Sequence, residues 1–265
     1  MDLQLRGKRA LVTGGSRGIG LATAKALARE GCAVAIVARG EAALREAAAG
    51  ISSDGATALP VVADARDDAQ VRAAVEHAAG ELGGIDILVN AAATPAGGSP
   101  PPTLHEVQDD EVRAEVETKV LGYLRFARAT APHMIQGGWG RIVSISGLAA
   151  RSASSIVGSM RNVAVSAMTK NLADQLGPHG INVTVVHPAM TETERTPGML
   201  AAMAERSGIS EEEARSRLAA GVSIGRLVTA AEIADVIAFL CSPRSVAING
   251  DAVVVGGGAV GPIYY

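Results

Sequence analysis

Aromatic residues are only 2% of the 265-residue chain: one tryptophan, two phenylalanines and three tyrosines. So sparse a set excludes platforms on which nucleic-acid bases stack. The net charge of −3 argues against nucleic acid as the main partner, since proteins that bind it usually show a basic face. Cysteine is almost absent. Cys32 and Cys241 are far apart and fit no metal-ligand spacing, so no metal site is expected. Both are read as buried thiols of a reducing, cytoplasmic protein. No run of about 18 apolar residues appears, which argues against a membrane span. Met1–Lys8 holds no apolar signal-peptide stretch. Lysine is scarce too. The 24 basic residues comprise Lys8, Lys25, Lys119 and Lys170, leaving twenty arginines. Lysine can shift its pKa and release a proton where arginine cannot, so a lysine at a special position deserves inspection. Tyrosine occurs at 123, 264 and 265 and nowhere between.

What is present is abundant aliphatic sequence, 48% hydrophobic overall, enough for one large core. Short runs apolar on both faces predict buried parallel strands at Arg9–Thr13, Ala33–Ala38, Leu59–Ala63, Ile85–Val89, Arg141–Ile145, Asn182–His187 and Ala252–Val255. Amphipathic stretches between them predict helices over Gly18–Glu30, Glu41–Gly50, Asp67–Leu82, Asp109–Ile135 and Ile156–Leu176. This alternation predicts a single α/β domain, 1–265, built on a doubly wound parallel sheet of the Rossmann type. Two stretches break the pattern. Thr94–Pro102 is a proline-rich loop. Thr191–Ser223 precedes the last helix, with Glu211–Glu213 starting a helix after Ser210, and is read as a substrate lid over about 191–223.

Thr13-Gly14-Gly15-Ser16-Arg17-Gly18-Ile19-Gly20 follows the first strand and opens the first helix. Glycines there let the backbone turn tightly and approach a pyrophosphate at the helix N-terminus. The second strand ends Val37-Ala38-Arg39. A carboxylate at this point would bind the ribose 2′-hydroxyl of NAD. Alanine followed by arginine, with Arg17 opposite, suits the 2′-phosphate of NADP.

These segments, with several others, resemble the short-chain dehydrogenase/reductase family along nearly the whole chain. Thr13–Gly20 resembles its TGxxxGxG motif. Asp64, followed by Ala65, resembles its adenine-contacting aspartate. Asp86–Ala93, containing Asn90 and Ala92, resembles DILVNNAG, and Gly140–Ser146 resembles GRIVNIS. Pro188–Thr193 resembles PGxxxT, whose threonine holds the nicotinamide amide. Gly225–Gly258 resembles the C-terminal helix and closing strand. The resemblance implies a small-molecule substrate and a homotetramer or homodimer formed through the two long helices and the closing segment Gly250–Tyr265.

The family's active site holds an asparagine, a serine, a tyrosine and a lysine. In register with the flanking motifs, the asparagine falls on Lys119, the tyrosine on Gly158 and the lysine on Asn162. The serine falls on Gly147, with Ser146 beside it. Asparagine and lysine have thus changed places, as in polyketide-synthase ketoreductase domains, whose KVxG segment Lys119–Gly122 also resembles. The catalytic residues expected are Lys119, Asn162 and Ser146, with Lys119 pointing into the active site and Asn162 facing it. Ser154, Ser155, Ser159 and His187 are weaker candidates for the missing hydroxyl. Tyr123 shares a helix face with Lys119 and reads as core. Three functions stay open: an NADP(H)-dependent oxidoreductase of carbonyls or alcohols in which Lys119 or water moves the proton; a non-redox dehydratase, cyclase or isomerase; and a regulatory pseudoenzyme.

Overall fold

The strands follow from runs of valine, isoleucine and alanine that hide both faces. In the computed structural model, which describes residues 1–52, 55–94, 100–153 and 155–260, they are β1 (Arg9–Thr13), β2 (Ala33–Ala38), β3 (Ala58–Val62), β4 (Ile87–Asn90), β5 (Gly140–Ile145), β6 (Ile181–Pro188) and, last, β9 (Ala252–Val255). They form one seven-stranded sheet in the order β3-β2-β1-β4-β5-β6-β9, parallel throughout. Strand order reverses between β1 and β4. A crevice therefore opens there at the carboxyl ends of the strands, where ligands of such sheets bind. The expected strands over Leu59–Ala63 and Ile85–Val89 are displaced by one or two residues. Ladder pairing with β2 and β1 fixes their ends, and hydropathy does not report pairing.

Alternation along β1 splits the core into two layers. Ala10 and Val12 pack on one side with Leu27, Leu44 and Ile237, residues of α1 (Gly18–Arg29), α2 (Glu41–Ser52) and, near the C-terminus, α9 (Ala230–Leu240). Leu11 faces the other side with Val75 and Phe126, carried by α3 (Asp68–Leu82) and the helix expected over Asp109–Ile135.

That helix is not regular. It runs as α4 (Asp109–Glu115), a π-helical turn Val116–Leu121, and α5 (Gly122–Gly137). A π turn inserts one residue per turn and rotates what it carries. The one buried residue of this turn is Lys119. Beyond it, α6 (Ile156–Leu176) packs against β6. The expected lid contains β7 (Thr191–Glu192), α7 (Thr196–Ser207) and α8 (Glu211–Ala220). It is tied down by pairing of β7 with β8 (Val228–Thr229) and by the Glu192–Arg215 ion pair at 2.8 Å. Part of the Thr94–Pro102 loop, together with Ser154, Tyr264 and Tyr265, lies outside the described residues. Among the described residues no helix is long and apolar enough to cross a membrane.

Candidate active site

The glycine loop between β1 and α1 is shaped by close backbone approach. Gly14 has φ +65°, and a Cβ there would stand 2.8 Å from the Ala91 backbone. A Cβ on Gly20 would strike the Gly14 carbonyl. A larger residue at Gly14 would press on the segment that follows β4, and one at Gly20 would push α1 off the glycine loop. At Gly18 the situation is reversed: the nearest atom to a Cβ would be the Thr193 methyl at 3.8 Å. Backbone N–H groups thus border the start of α1, an arrangement that fits a dinucleotide pyrophosphate, with the Gly18 amide held by a carboxylate in its place. Ser16, Arg17 and Ile19 complete the loop. The Thr13 hydroxyl accepts from the Ala91 and Ala92 amides at 3.0 and 3.2 Å, locking the ends of β1 and β4 together.

The other expected cofactor residues lie around the same edge. Arg17 and Arg39 are exposed and carry no ion pair among the described residues. Asp64 accepts from Arg66 at 2.7 Å; that hydrogen bond, ahead of the Arg39 charge, holds its carboxyl below the usual range. Ala65 is buried beneath Gly122. Asn90 ends β4, with Nδ2 donating to Ser144 Oγ at 3.4 Å. Pro188 ends β6. Thr193 lies between β7 and α7, its amide donating to Thr196 Oγ1 at 2.9 Å. The next residue, Glu194, accepts from the Gly18 amide at 3.2 Å, a contact hydropathy gave no sign of.

At the ends of β5 and β6 lies a second cluster. Lys119 is 3% exposed. Its Nζ donates to Ser146 O at 2.9 Å and to Asn162 Oδ1 at 3.0 Å. The structure therefore brings together Lys119, Asn162 and Ser146, from the π turn, α6 and the end of β5. Burial lowers the Lys119 pKa to about 8. No carboxylate pairs with it among the described residues. Ser146 Oγ and Ser166 Oγ each donate to Asn162 O at 3.1 Å.

The remaining hydroxyls are engaged elsewhere. Ser155 caps α6 by accepting from the Gly158 amide at 3.1 Å, as cap serines do. Ser159 donates to Ser152 O. Tyr123 is buried against Val165 and Val185, its phenol donating to Ile145 O at 3.0 Å, so it belongs to the core. Cys32 and Cys241 are both buried, and desolvation, above all other influences, pushes the Cys32 thiol up to about 12. Cys32 falls between α1 and β2 rather than inside either, and closes the gap by donating to Leu5 O at 3.4 Å.

Sequence reasoning missed the ion pair of Glu115 with Arg161, both largely buried. Glu115 lies four residues before Lys119, and Arg161 adjoins Asn162. The pair clamps α4 to α6 beside the lysine. No local signal could have found it, because the two residues lie 46 apart in sequence.

A doubly wound sheet with a glycine-cradled crevice at its switch point defines a dinucleotide-binding α/β protein. The model of the short chain dehydrogenase family matches residues 8–203. The chain belongs to that family. It is 36% identical over 250 residues to the short-chain reductase protein NovJ of Streptomyces niveus, covering 94% of this chain and 92% of that one. Among solved structures it is similar to the L-sorbose reductase of Gluconobacter frateurii complexed with NADPH and L-sorbose. The TM-score is 0.92 with 30% identity, over 99% of this chain and 100% of the other. A variant of the actinorhodin polyketide ketoreductase with NADPH superposes at TM-score 0.87 and 32% identity, covering 94% and 96% of the two chains.

Proposed function

We propose that this chain is an NADPH-dependent carbonyl reductase with a non-standard active site in which Lys119 supplies the proton. The observation that carries this reading is the buried ammonium of Lys119, held by Ser146 O and Asn162 Oδ1 at 2.9 and 3.0 Å without an ion-pair partner among the described residues. An ammonium has three hydrogens. Two are spent on these acceptors and the third is available to a substrate oxygen. Burial brings its pKa to about 8, near the operating range of a general acid at neutral pH. No tyrosine stands at 158, where a glycine does, so the lysine acts directly instead of tuning a phenol.

NADPH, when bound, supplies the hydride to the carbonyl carbon. Lys119 polarises the carbonyl oxygen and gives it a proton as negative charge builds there, so that an alcohol leaves and the neutral amine is reprotonated by solvent. Ser146 and Asn162 hold the amine in place throughout. Gly14, Ser16, Arg17, Gly18, Ile19, Gly20, Arg39, Asp64, Ala65, Asn90, Ala92, Pro188 and Thr193 would hold the nucleotide, with Arg17 and Arg39 taking the 2′-phosphate. The NADPH bound in the sorbose reductase and in the actinorhodin ketoreductase variant supports this choice of cofactor.

The test is a screen of ketones and alcohols for NADPH oxidation or NADP reduction, with Lys119→Met and Lys119→Arg alongside. Both variants are expected to lose turnover at least about hundredfold while NADPH affinity stays within about threefold, as loss of a general acid without loss of a binding group requires. Full activity in Lys119→Met would sink the assignment. Binding of NADPH with no turnover on any substrate would leave a non-redox or regulatory role.

We further propose a homodimer or homotetramer assembled through α6. Its exposed residues Ile156, Met160 and Val163 recur at helical spacing and form one apolar stripe. A monomer by light scattering at micromolar concentration would overturn this.

A further inference from the structure

One buried titratable side chain at this edge of the sheet has no part in the chemistry above. His187 precedes Pro188 at the end of β6 and is 1% exposed. Strand alternation puts it on the same face as Val185, which packs against Tyr123 and Val165. Lys119 lies near enough for its charge to act on the ring. The end of β6 is tied to the end of β5 by the Ser146 amide donating to Val186 O at 2.8 Å, so His187 adjoins the residue whose carbonyl holds Lys119.

Among the described residues the ring has one hydrogen-bond partner. Its Nε2 lies 3.5 Å from Ser166 Oγ. Ser166 gives its own hydrogen to Asn162 O, so toward His187 it can only accept. The ring proton therefore belongs on Nε2, and Nδ1 is left as a bare acceptor. Nδ1 is buried and has no partner among the described residues. Burial first, then the Arg151 and Lys119 charges, lowers the pKa of the ring to about 4. The ring is neutral at pH 7, and Nδ1 keeps its lone pair. A buried acceptor in this condition is unfavourable until an O–H or N–H meets it.

We infer that His187 is a substrate-recognition residue whose Nδ1 accepts a hydrogen bond from a hydroxyl on the substrate, which makes hydroxyketones the substrate class. The inference rests on the carbonyl-reductase reading of the preceding section. A site built to receive a hydroxyl discriminates strongly against the analogue that lacks one, because the buried acceptor is then left unpaired. Water offers the same O–H, and the experiment separates the two sources.

Hydroxyacetone and its isostere butanone are compared as substrates of the NADPH-saturated wild type, His187→Gln and His187→Asn. Glutamine can keep the Ser166 contact near the Nε2 position but removes the Nδ1 acceptor. Asparagine offers an oxygen near Nδ1 and gives up Ser166. The wild type is expected to favour hydroxyacetone in kcat/KM by at least about tenfold. His187→Gln should lose that preference, the ratio of the two kcat/KM values falling toward one, and His187→Asn should retain most of it. The inference is overturned if His187→Gln keeps the preference. It is also overturned if both ketones slow equally, which would mean that a water is held there, or if both variants lose the preference together with a fall in Tm.

A second readout needs no turnover. In the protein without nucleotide, the ¹⁵N shift of His187 Nδ1 should move on titration with hydroxyacetone and stay fixed with butanone. A shift without turnover would discredit the reductase reading alone. Turnover without a shift would discredit the role of His187 alone.

Discussion

Asn162 Oδ1 accepts from Lys119 Nζ at 3.0 Å across 43 residues of sequence. The same asparagine takes Ser146 and Ser166 on its backbone oxygen. One residue of α6 therefore fixes the lysine, the end of β5 and the serine that touches His187. Because Lys119 is reached from a π turn and Asn162 from a regular helix, neither can slide along its axis without breaking this contact.

The buried ammonium should leave a signature in stability against pH. Lys119 titrates at about 8 in the folded chain, down from 10.5, because burial disfavours its charge. Between those values the unfolded chain binds the proton and the folded one does not. Stability from this group therefore rises with pH from about 8 to 10.5, and its cost is felt in full below 8. The cost is of order 3 kcal/mol, offset by about 1 kcal/mol for each hydrogen bond. Lys119→Met removes it. Denaturant melts of both proteins at pH 7, 8.5 and 10 are expected to show the variant's relative stability highest at pH 7 and declining as pH rises. A difference independent of pH would mean that the ammonium is solvated.

Returning a phenol should not by itself give full activity. A Cβ on Gly158 would sit 3.2 Å from Ser155, and one on Gly147 would sit 3.0 Å from Asn162 Nδ2. Gly158→Tyr is accommodated by a small shift of the capping serine. Gly147→Ser must press on the amide that holds Lys119. On a ketone panel the double variant Gly158→Tyr/Gly147→Ser is expected to exceed Gly158→Tyr in kcat and to be less stable by about 1 kcal/mol, a modest overpacking cost. Equal kcat in the two would show that Ser146 already serves as the hydroxyl.

Charge at the cofactor crevice can be tested from both signs. Calorimetric titration of Arg39→Ala should show NADPH affinity reduced about tenfold and NADH affinity unchanged, as expected for loss of a phosphate contact worth about 1.4 kcal/mol. Glu194 places a carboxylate on the Gly18 amide at 3.2 Å, beside the cradle for the pyrophosphate. Glu194→Gln is therefore expected to tighten NADPH about threefold, the size of one exposed like-charge contact. No change in either variant would mean that the nucleotide lies elsewhere.

The sequence alone determined the layered architecture and the glycine turn between β1 and α1. Val12, Ile36 and Val89 sit in runs apolar on both faces, and only a buried parallel strand uses such a run. Gly14 and Gly20 were legible because close backbone approach admits no other residue. The scarcity of lysine drew notice to Lys119, and the absence of tyrosine from the middle of the chain was plain by inspection. Tertiary structure decided the rest. Hydropathy over 109–135 reads as one helix, because the extra residue of a π turn changes no side chain's polarity. Only packing against β5 and α6 shows that Lys119 is rotated inward at that turn. Ser166, Glu194 and the Glu115–Arg161 pair are polar residues of ordinary helical or loop sequence. Their partners lie 21 or more residues away, and local periodicity carries no information about contacts made across the fold. His187 gives the sharpest case: the sequence placed it at the end of a strand, but the orphaned Nδ1 exists only because Ser166 has already spent its hydrogen on Asn162.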